Sequence, residues 1–297
     1  AGTRTFGYEA TIYKALQVHA PGFATTVDIY RTDLAITDEA AHRFHQRVTY
    51  YFPQSAHLSS SSLNAHVGNT WLRSASSDVM NLDGTFSAGA IHLRLQLQGP
   101  PMYVGGQGFV QFGKQFSYYY SLPNLEARGT LHAGGRTYAV SGISWLDHQW
   151  GNWPLQGGVT GWTWMALQLD NGTRLSLFDV RGVGSPILFA SVLQKNGATA
   201  KISGVTITST GSWRSPHTGT TYPSGWIVRI PALRAVMRVV PTVIDQEIVS
   251  PGQLLGGNAA ASVLASYWEG SGRVTGRYSG KPITGLSYTE LTGYAKG

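Results

Sequence analysis

The sequence predicts an all-β protein built from two strand-rich halves. Three observations point there. The 297 residues include 37 glycines, 11% are aromatic and only 12% are charged, which suits pleated surfaces and tight turns rather than helical bundles. Hydrophobicity alternates with a period of two along much of the chain. Turn signals recur between the alternating runs at a spacing of about ten residues, as in meander sandwiches and barrels.

Taken in order, Phe6-Gly7-Tyr8-Glu9-Ala10-Thr11-Ile12-Tyr13 is the first clean alternation. Ile91-His92-Leu93-Arg94-Leu95-Gln96-Leu97, Thr163-Trp164-Met165-Ala166-Leu167-Gln168-Leu169 and Arg174-Leu175-Ser176-Leu177-Phe178-Asp179-Val180 follow it. Each is a strand with one wet face or one pocket face. Asp83-Gly84, Gly134-Gly135, Asp170-Asn171-Gly172 and Asn196-Gly197 are the expected turns. Two segments carry local helix signals. Thr37-Asp38-Glu39-Ala40-Ala41 resembles an N-cap followed by acidic first-turn residues, and Asn258-Ala259-Ala260-Ala261-Ser262-Val263-Leu264 is alanine-rich. Both are short and flanked by strand patterns, so each is expected to be a loop or a single turn. Helix should stay below about a tenth of the chain, against the usual one-third. The Gly/Pro-rich residues 151–158 separate halves of similar size and place the expected domains at 1–152 and 153–297.

Composition removes several classes of function. There is no cysteine, hence no disulfide, thiol catalysis or thiolate-bound zinc. The net charge of +7 is dispersed, and the closest basic cluster, between Arg229 and Arg238, alternates with apolar residues like a strand pair. Nucleic-acid binding wants a patch, so a solvated basic surface is expected instead. No run of about 18 apolar residues exists to span a membrane. The N-terminal residues lack a charged and apolar leader pattern. The composition fits an exported, periplasmic or secreted bacterial protein whose signal peptide is absent or already removed, with a cytosolic location left open. No G-x-S-x-G elbow and no H-E-x-x-H helix occur. His42 and His45 stand three apart on a strand-turn, a poor metal pair, and Gly105-Gly106-Gln107-Gly108 does not join a strand to a helix. No metal and no cofactor are expected.

One segment concentrates chemistry: Ser144-Trp145-Leu146-Asp147-His148-Gln149-Trp150-Gly151. As a strand it sends Trp145, Asp147 and Gln149 one way and Ser144, Leu146, His148 and Trp150 the other. An aspartate beside tryptophan in a dry pocket has its pKa raised by desolvation and is able to act as a general acid. The alternative is a structural aspartate that accepts loop hydrogen bonds, with His148 clamping the turn. Trp162 and Trp164 share a strand face, as a packed aromatic pair or as a pocket wall that stabilises positive charge. Glu269, after Tyr267 and Trp268, needs either an arginine partner or a place in the pocket. Tyr288, Glu290 and Tyr294 are expected on one face of a closing C-terminal strand.

In this order and spacing the motifs resemble the carotenoid 1,2-hydratase/AttH-like family. The matching pieces are Tyr118-Tyr119-Tyr120-Ser121 with Leu125, Gly129-Thr130-Leu131, Arg136-Thr137-Tyr138-Ala139-Val140-Ser141-Gly142, and the W-x-D-H-x-x-G element at Trp145. They continue through Gly161-Trp162-Thr163-Trp164, Gln168-Leu169, Trp213, Ser215-Pro216, Thr218-Gly219, Tyr222-Pro223, Asp245-Gln246-Glu247, Tyr267-Trp268-Glu269-Gly270 and Glu290-Leu291-Thr292-Gly293-Tyr294. The resemblance implies an N-terminal β-sandwich-like domain followed by a C-terminal lipocalin-like β-barrel, with a ligand pocket between or within them. Members resembling this chain include hydratases of carotenoid end groups, fungal proteins that steer Diels–Alder cyclisations, and exported bacterial proteins. Two departures stand out. A Glu-Trp-Trp-Tyr element upstream of Phe6 is absent, as in a shortened or divergent N-terminus, and Thr163 replaces a His or Asp frequent in relatives.

The implied function is cofactor-independent hydration, isomerisation or cyclisation of a hydrophobic isoprenoid or polyene. In that scheme Asp147 donates the proton, His148 orients it or positions water, and Glu269 is a second acid or base. Trp145, Trp162, Trp164, Gln168, Tyr267 and Glu290 bind the substrate. The alternative is a non-catalytic carrier of a lipid or pigment; a hydrolase lacks an evident nucleophile. Either leading function wants an apolar cavity of about 300–1,000 Å³, lined in part by Trp164 and Tyr267.

Overall fold

The computed structural model describes residues 4–18, 24–152, 158–182, 184, 187–194, 197–251 and 265–294. The first strands are β1 (Phe6–Val18), β2 (Val27–Asp38), β3 (Arg43–Tyr51), β4 (Ala56–Leu58), β5 (Asn64–Val67), β6 (Thr70–Ser74), β7 (Val79–Phe86) and β8 (Gly89–Leu97). Next come β9 (Met102–Tyr103), β10 (Phe109–Phe112), β11 (Gln115–Ala133), β12 (Arg136–Gly151), β13 (Gly161–Leu169), β14 (Arg174–Arg181), β15 (Ile187–Leu193) and β16 (Thr199–Ile202). The last are β17 (Thr206–Ser209), β18 (Ser212–Arg214), β19 (Thr221–Pro223), β20 (Trp226–Ile230), β21 (Ala235–Pro241), β22 (Glu247–Ile248), β23 (Tyr267–Tyr278) and β24 (Lys281–Thr292). The described residues contain no α-helix, only 3-10 turns. The Thr37 segment is the end of β2 and a turn, and Asp38 Oδ1 accepts the Ala41 N–H at 3.1 Å. The alanine-rich segment at 258–264 lies outside the described residues.

The chain forms two compact units that interleave in sequence. The first comprises Ala1–Gln98, Asn124–Ser144 and Ile248–Ala265; the second comprises Gly99–Pro123, Trp145–Glu247 and Ser266–Gly297. The long strands β11 and β12 contribute residues to both. A boundary at residue 152 therefore leaves residues 99–123 and 145–152, which group with the second unit, on its N-terminal side.

In the first unit β1, β2 and β3 form an antiparallel sheet. The middle strand is buried almost throughout. It carries a sealed ion pair, Arg31 Nε to Asp33 Oδ1 at 2.7 Å, and the Arg31 guanidinium lies over Tyr13 and Tyr50. The strands β4 to β8 continue as an antiparallel meander. Asp83-Gly84 is not the expected turn. Gly84 sits inside β7 opposite Thr70 and Ile91, and a Cβ there would stand 2.8 Å from Leu34. Glycine is present for close packing.

In the second unit the strand order is β16-β15-β14-β13-β24-β23-β21-β20-β17, antiparallel at each step. The edge strands β16 and β17 are consecutive in sequence and separated by residues 203–205, so the sheet curls back on itself in the lipocalin-like manner. Its concave side holds one core drawn from all the long strands, including Met165, Leu177, Val192, Trp226, Met237 and Trp268. Fully burying a side chain of this kind contributes about 1.5–3 kcal/mol. The barrel interior is thus occupied by its own side chains. The other side of the same sheet carries a second, aromatic cluster: Trp162, Trp164, Phe178 and Phe189, packed with Phe112 and Tyr119 of β10 and β11.

Candidate functional site

Alternation along β11 buries Ser117, Tyr119 and Ser121 and leaves Tyr118 and Tyr120 on the other side. Alternation along β12 places Trp145 and Asp147 together. Pairing of β11 with β12 then brings the two sets into contact. Ser121 Oγ donates to Asp147 Oδ1 at 2.5 Å, and Trp145 Nε1 donates to the same oxygen at 2.8 Å. The Tyr119 hydroxyl supplies a third hydrogen bond. Part of Asp147 is reachable by solvent, while its carboxyl is crowded by protein. Desolvation pushes its carboxyl up to about 6, against the opposing pull of Ser121, Trp145 and Tyr119. Burial raises the Tyr119 phenol well above its usual value, and the negative charges of Asp147 and Glu290 add to this.

The aromatic face of the barrel sheet supplies the rest. Trp145 meets Trp164 edge-on, with ring centroids 6.2 Å apart, and Trp164 Nε1 is fixed by Ser176 Oγ at 3.1 Å. Trp164, Glu290 and Glu269 are successive cross-strand partners on β13, β24 and β23, so all three project from one face. Tyr267, two residues before Glu269, shares that face and is 5% exposed. Trp162 lies two residues from Trp164 and is 8% exposed. Asp147, Trp145, Trp162, Trp164, Tyr267, Glu269 and Glu290 therefore belong to one side of one unit.

Three expected residues go elsewhere. His148 lies on the opposite side of β12 from Asp147. Its Nδ1 is 3.1 Å from the Tyr120 hydroxyl, its ring packs on Trp150 at 4.9 Å, and desolvation lowers its pKa. Orientation of Asp147 by His148 does not follow from this geometry. Gln168 Nε2 donates to the Pro123 carbonyl at 2.9 Å and fastens β11 to β13. Tyr294 is not on the face of Tyr288 and Glu290. Gly293 takes a left-handed φ of 74°, which turns Tyr294 to the barrel core, where its hydroxyl meets Thr163 Oγ1 at 2.8 Å. Thr163 thus points away from the Asp147 side. Among the described residues no group of three or more metal-type side chains is assembled. Sequence reasoning passed over Tyr119 and Ser121 as partners of Asp147; only the β11–β12 pairing reveals them.

Fold and site together define a lipocalin-like all-β protein with a desolvated, hydrogen-bonded acid facing an aromatic wall. The AttH-like family matches residues 1–294, and the chain belongs to that family. It is 31% identical over 78 residues to kievitone hydratase of Fusarium solani subsp. phaseoli, a match spanning 25% of this chain and only 22% of that protein. A structure from Nitrosomonas europaea assigned to AttH superposes with a TM-score of 0.81 at 26% identity, covering 98% of this chain and 88% of that one. Kievitone hydratase from Nectria haematococca superposes with a TM-score of 0.79 at 20% identity over 99% and 85% of the two chains, a likeness of fold.

Proposed function

We propose that the chain is an enzyme that hydrates, isomerises or cyclises a hydrophobic, unsaturated small molecule by general acid catalysis at Asp147. The observation that carries this reading is the Asp147 carboxyl itself. It is raised to about 6 by desolvation, held by three donors, and still open on one side. A carboxyl so tuned exchanges a proton near neutral pH. Membership of a family that resembles hydratases agrees with it.

For hydration the residues have separable roles. Ser121 and Trp145 both occupy Oδ1, which leaves Oδ2 to carry the transferable proton. That proton adds to one alkene carbon while the π bond breaks, and the neighbouring carbon becomes a tertiary cation. The indoles of Trp145 and Trp164 face the developing charge. Water adds to the cation and loses a proton to Glu290 or Glu269, and the Asp147 proton is restored from solvent. The net change is alkene plus water to alcohol. Omitting the water step and removing a different proton gives isomerisation; attack of a second π bond of the substrate on the cation, followed by loss of a proton, gives cyclisation.

The test is incubation with a panel of polyenes and prenylated aromatics in isotopically labelled water. Mass spectrometry should find a product heavier by one labelled water, and its absence with Asp147→Asn. Saturable binding without conversion across the panel would favour a carrier instead.

A further inference from the structure

Strand pairing gathers cations that lie apart in the sequence. Residues 226–241 and 271–286 contain Arg229, Arg234, Arg238, Arg273, Arg277 and Lys281 and no carboxylate. They supply β20, β21, most of β23 and the start of β24, which are neighbours in the barrel sheet. Val228, Met237, Val239, Val274 and Ile283 belong to the barrel core, so alternation turns the residues between them outward. The register sets these in rows. Arg229, Val236, Arg277 and Pro282 are successive cross-strand partners, and so are Ile227, Arg238, Thr275 and Thr284. Arg273 continues the face between Val240 and Leu286. Strand spacing puts Arg229, Arg238 and Arg277 within about 10 Å of one another. That is close to the Debye length of about 8 Å at physiological salt, so their fields add.

The charge of this face is not compensated within it. Arg229, Arg238 and Arg277 are exposed and form no ion pair among the described residues. Asp170, at the edge of the face, accepts the Thr284 hydroxyl at 2.8 Å. Apolar side chains stand among the cations: Val236 is 42% exposed and Leu286 37%. Arginines around exposed apolar groups match the boundary of a bilayer, where anionic headgroups lie outside and acyl chains begin beneath. Nucleic acid wants aromatic rings for stacking or an element that enters a groove, and none of the outward residues here is aromatic. Two copies meeting through this face would set like charges against each other.

We infer that this face of the barrel docks on an anionic phospholipid surface. Arg229, Arg238 and Arg277 pair with headgroup phosphates, for which the planar guanidinium is well matched. Val236 and Leu286 enter the headgroup layer between them. The docking does not depend on Asp147 or on the reaction proposed there.

Co-sedimentation of the whole protein with vesicles tests it. Vesicles of phosphatidylcholine mixed with phosphatidylglycerol should bind, pure phosphatidylcholine vesicles should bind far less, and added salt should weaken the binding. Each arginine near such a surface should contribute about fivefold in affinity. Arg238→Gln combined with Arg277→Gln should therefore weaken vesicle binding by about 25-fold. Arg94→Gln combined with Arg136→Gln removes the same charge from exposed positions of the first unit and should change it by about twofold or less. Val236→Glu sets an acid among the arginines and should also weaken binding. All these sites are exposed, so the melting temperatures should stay near that of the wild type. Asp147→Asn should bind vesicles as the wild type does. No binding to the anionic vesicles overturns the proposal. So does equal binding to neutral vesicles, and so does an equal loss in the two double variants, which would mark net charge alone. Duplex DNA that displaces the protein from vesicles at a lower phosphate concentration than theirs would also overturn it, in favour of a nucleic-acid face.

Discussion

Asp147 and Glu247 are both carboxylates of the second unit, and each accepts three side-chain hydrogen bonds. Asp147 takes its donors from Ser121, Trp145 and Tyr119. Glu247 takes them from Ser215, from Thr218 at 2.6 Å and from Tyr222 at 2.9 Å. The similarity ends with access. Glu247 is 1% exposed, and its donors include the two residues that shape the β18–β19 connection; Ser215 Oγ also receives the backbone N–H groups of His217 and Thr218. Both of its oxygens are engaged in holding that connection and β19 to β22. Asp147 has two of its donors converging on one oxygen and one side open. Hydrogen-bond number alone does not distinguish these two carboxylates; solvent access does.

The largest expected effect breaks the comparison at Asp147. Asp147→Asn preserves size and removes the transferable proton. Turnover should fall by about two to four orders of magnitude, the range of general acid catalysis, while the melting temperature near neutral pH changes little. The pH dependence sharpens this. The folded carboxyl is raised to about 6 from an unfolded value near 3.9, so between these values the folded state binds the extra proton. Asp147 therefore favours folding below about pH 4, and this contribution is lost as pH rises through about 6. Turnover that needs the protonated form should decline above the same point. Asp147→Asn should flatten both curves. An early-melting variant that works normally per folded molecule would make Asp147 a second Glu247.

Glu247→Gln comes next and should do the reverse. Gln has one acceptor oxygen, so one of the three buried hydroxyls must face an amide N–H₂ instead. The cost should be about 1–3 kcal/mol of stability, read from denaturant midpoints, with turnover per folded molecule unchanged. A large loss of turnover at unchanged stability would remove the structural assignment.

The parts of this contrast differed in how far they could be read from the sequence. Period two placed Trp145 with Asp147 and Trp162 with Trp164, because each pair lies within one strand. It also indicated the all-β fold, since runs such as Ile91 to Leu97 alternate between core and surface. The partners Tyr119 and Ser121 are 28 and 26 residues from Asp147, and their contact depends on strand pairing that no local pattern encodes. Tyr294 was misplaced because strict alternation was carried through Gly293, whose φ of 74° ends it. Gln168 shares the site's strand face by periodicity, but distance along β13 takes it to the Pro123 carbonyl instead. The packed barrel interior was not legible either. Both faces of β13 are apolar and buried, and hydrophobicity does not say which one curls inward.

Ser121→Ala should have a smaller effect, confined to tuning. The Ser121 hydroxyl is the strongest influence holding the Asp147 carboxyl down against desolvation. Removing it should move the midpoint of the pH–turnover curve above about 6, with the maximal rate at low pH largely kept. A downward shift, or loss of turnover at every pH, would mean that Ser121 acts on the substrate and not through Asp147.

The smallest effect is expected at His148, next to Asp147 in sequence and on the other side of β12. Its imidazole contacts Tyr120 and Trp150, and desolvation lowers its pKa. No contact carries its charge or its proton to Asp147. His148→Ala should therefore leave turnover per folded molecule and the pH midpoint near 6 unchanged, with only a modest drop in melting temperature from lost ring packing. The decisive comparison is the pH profile. If His148 oriented Asp147, its removal would alter the carboxyl's environment and displace the midpoint, and turnover would fall with it. A displaced midpoint together with reduced turnover would put His148 back in the catalytic group, in spite of the strand face it occupies.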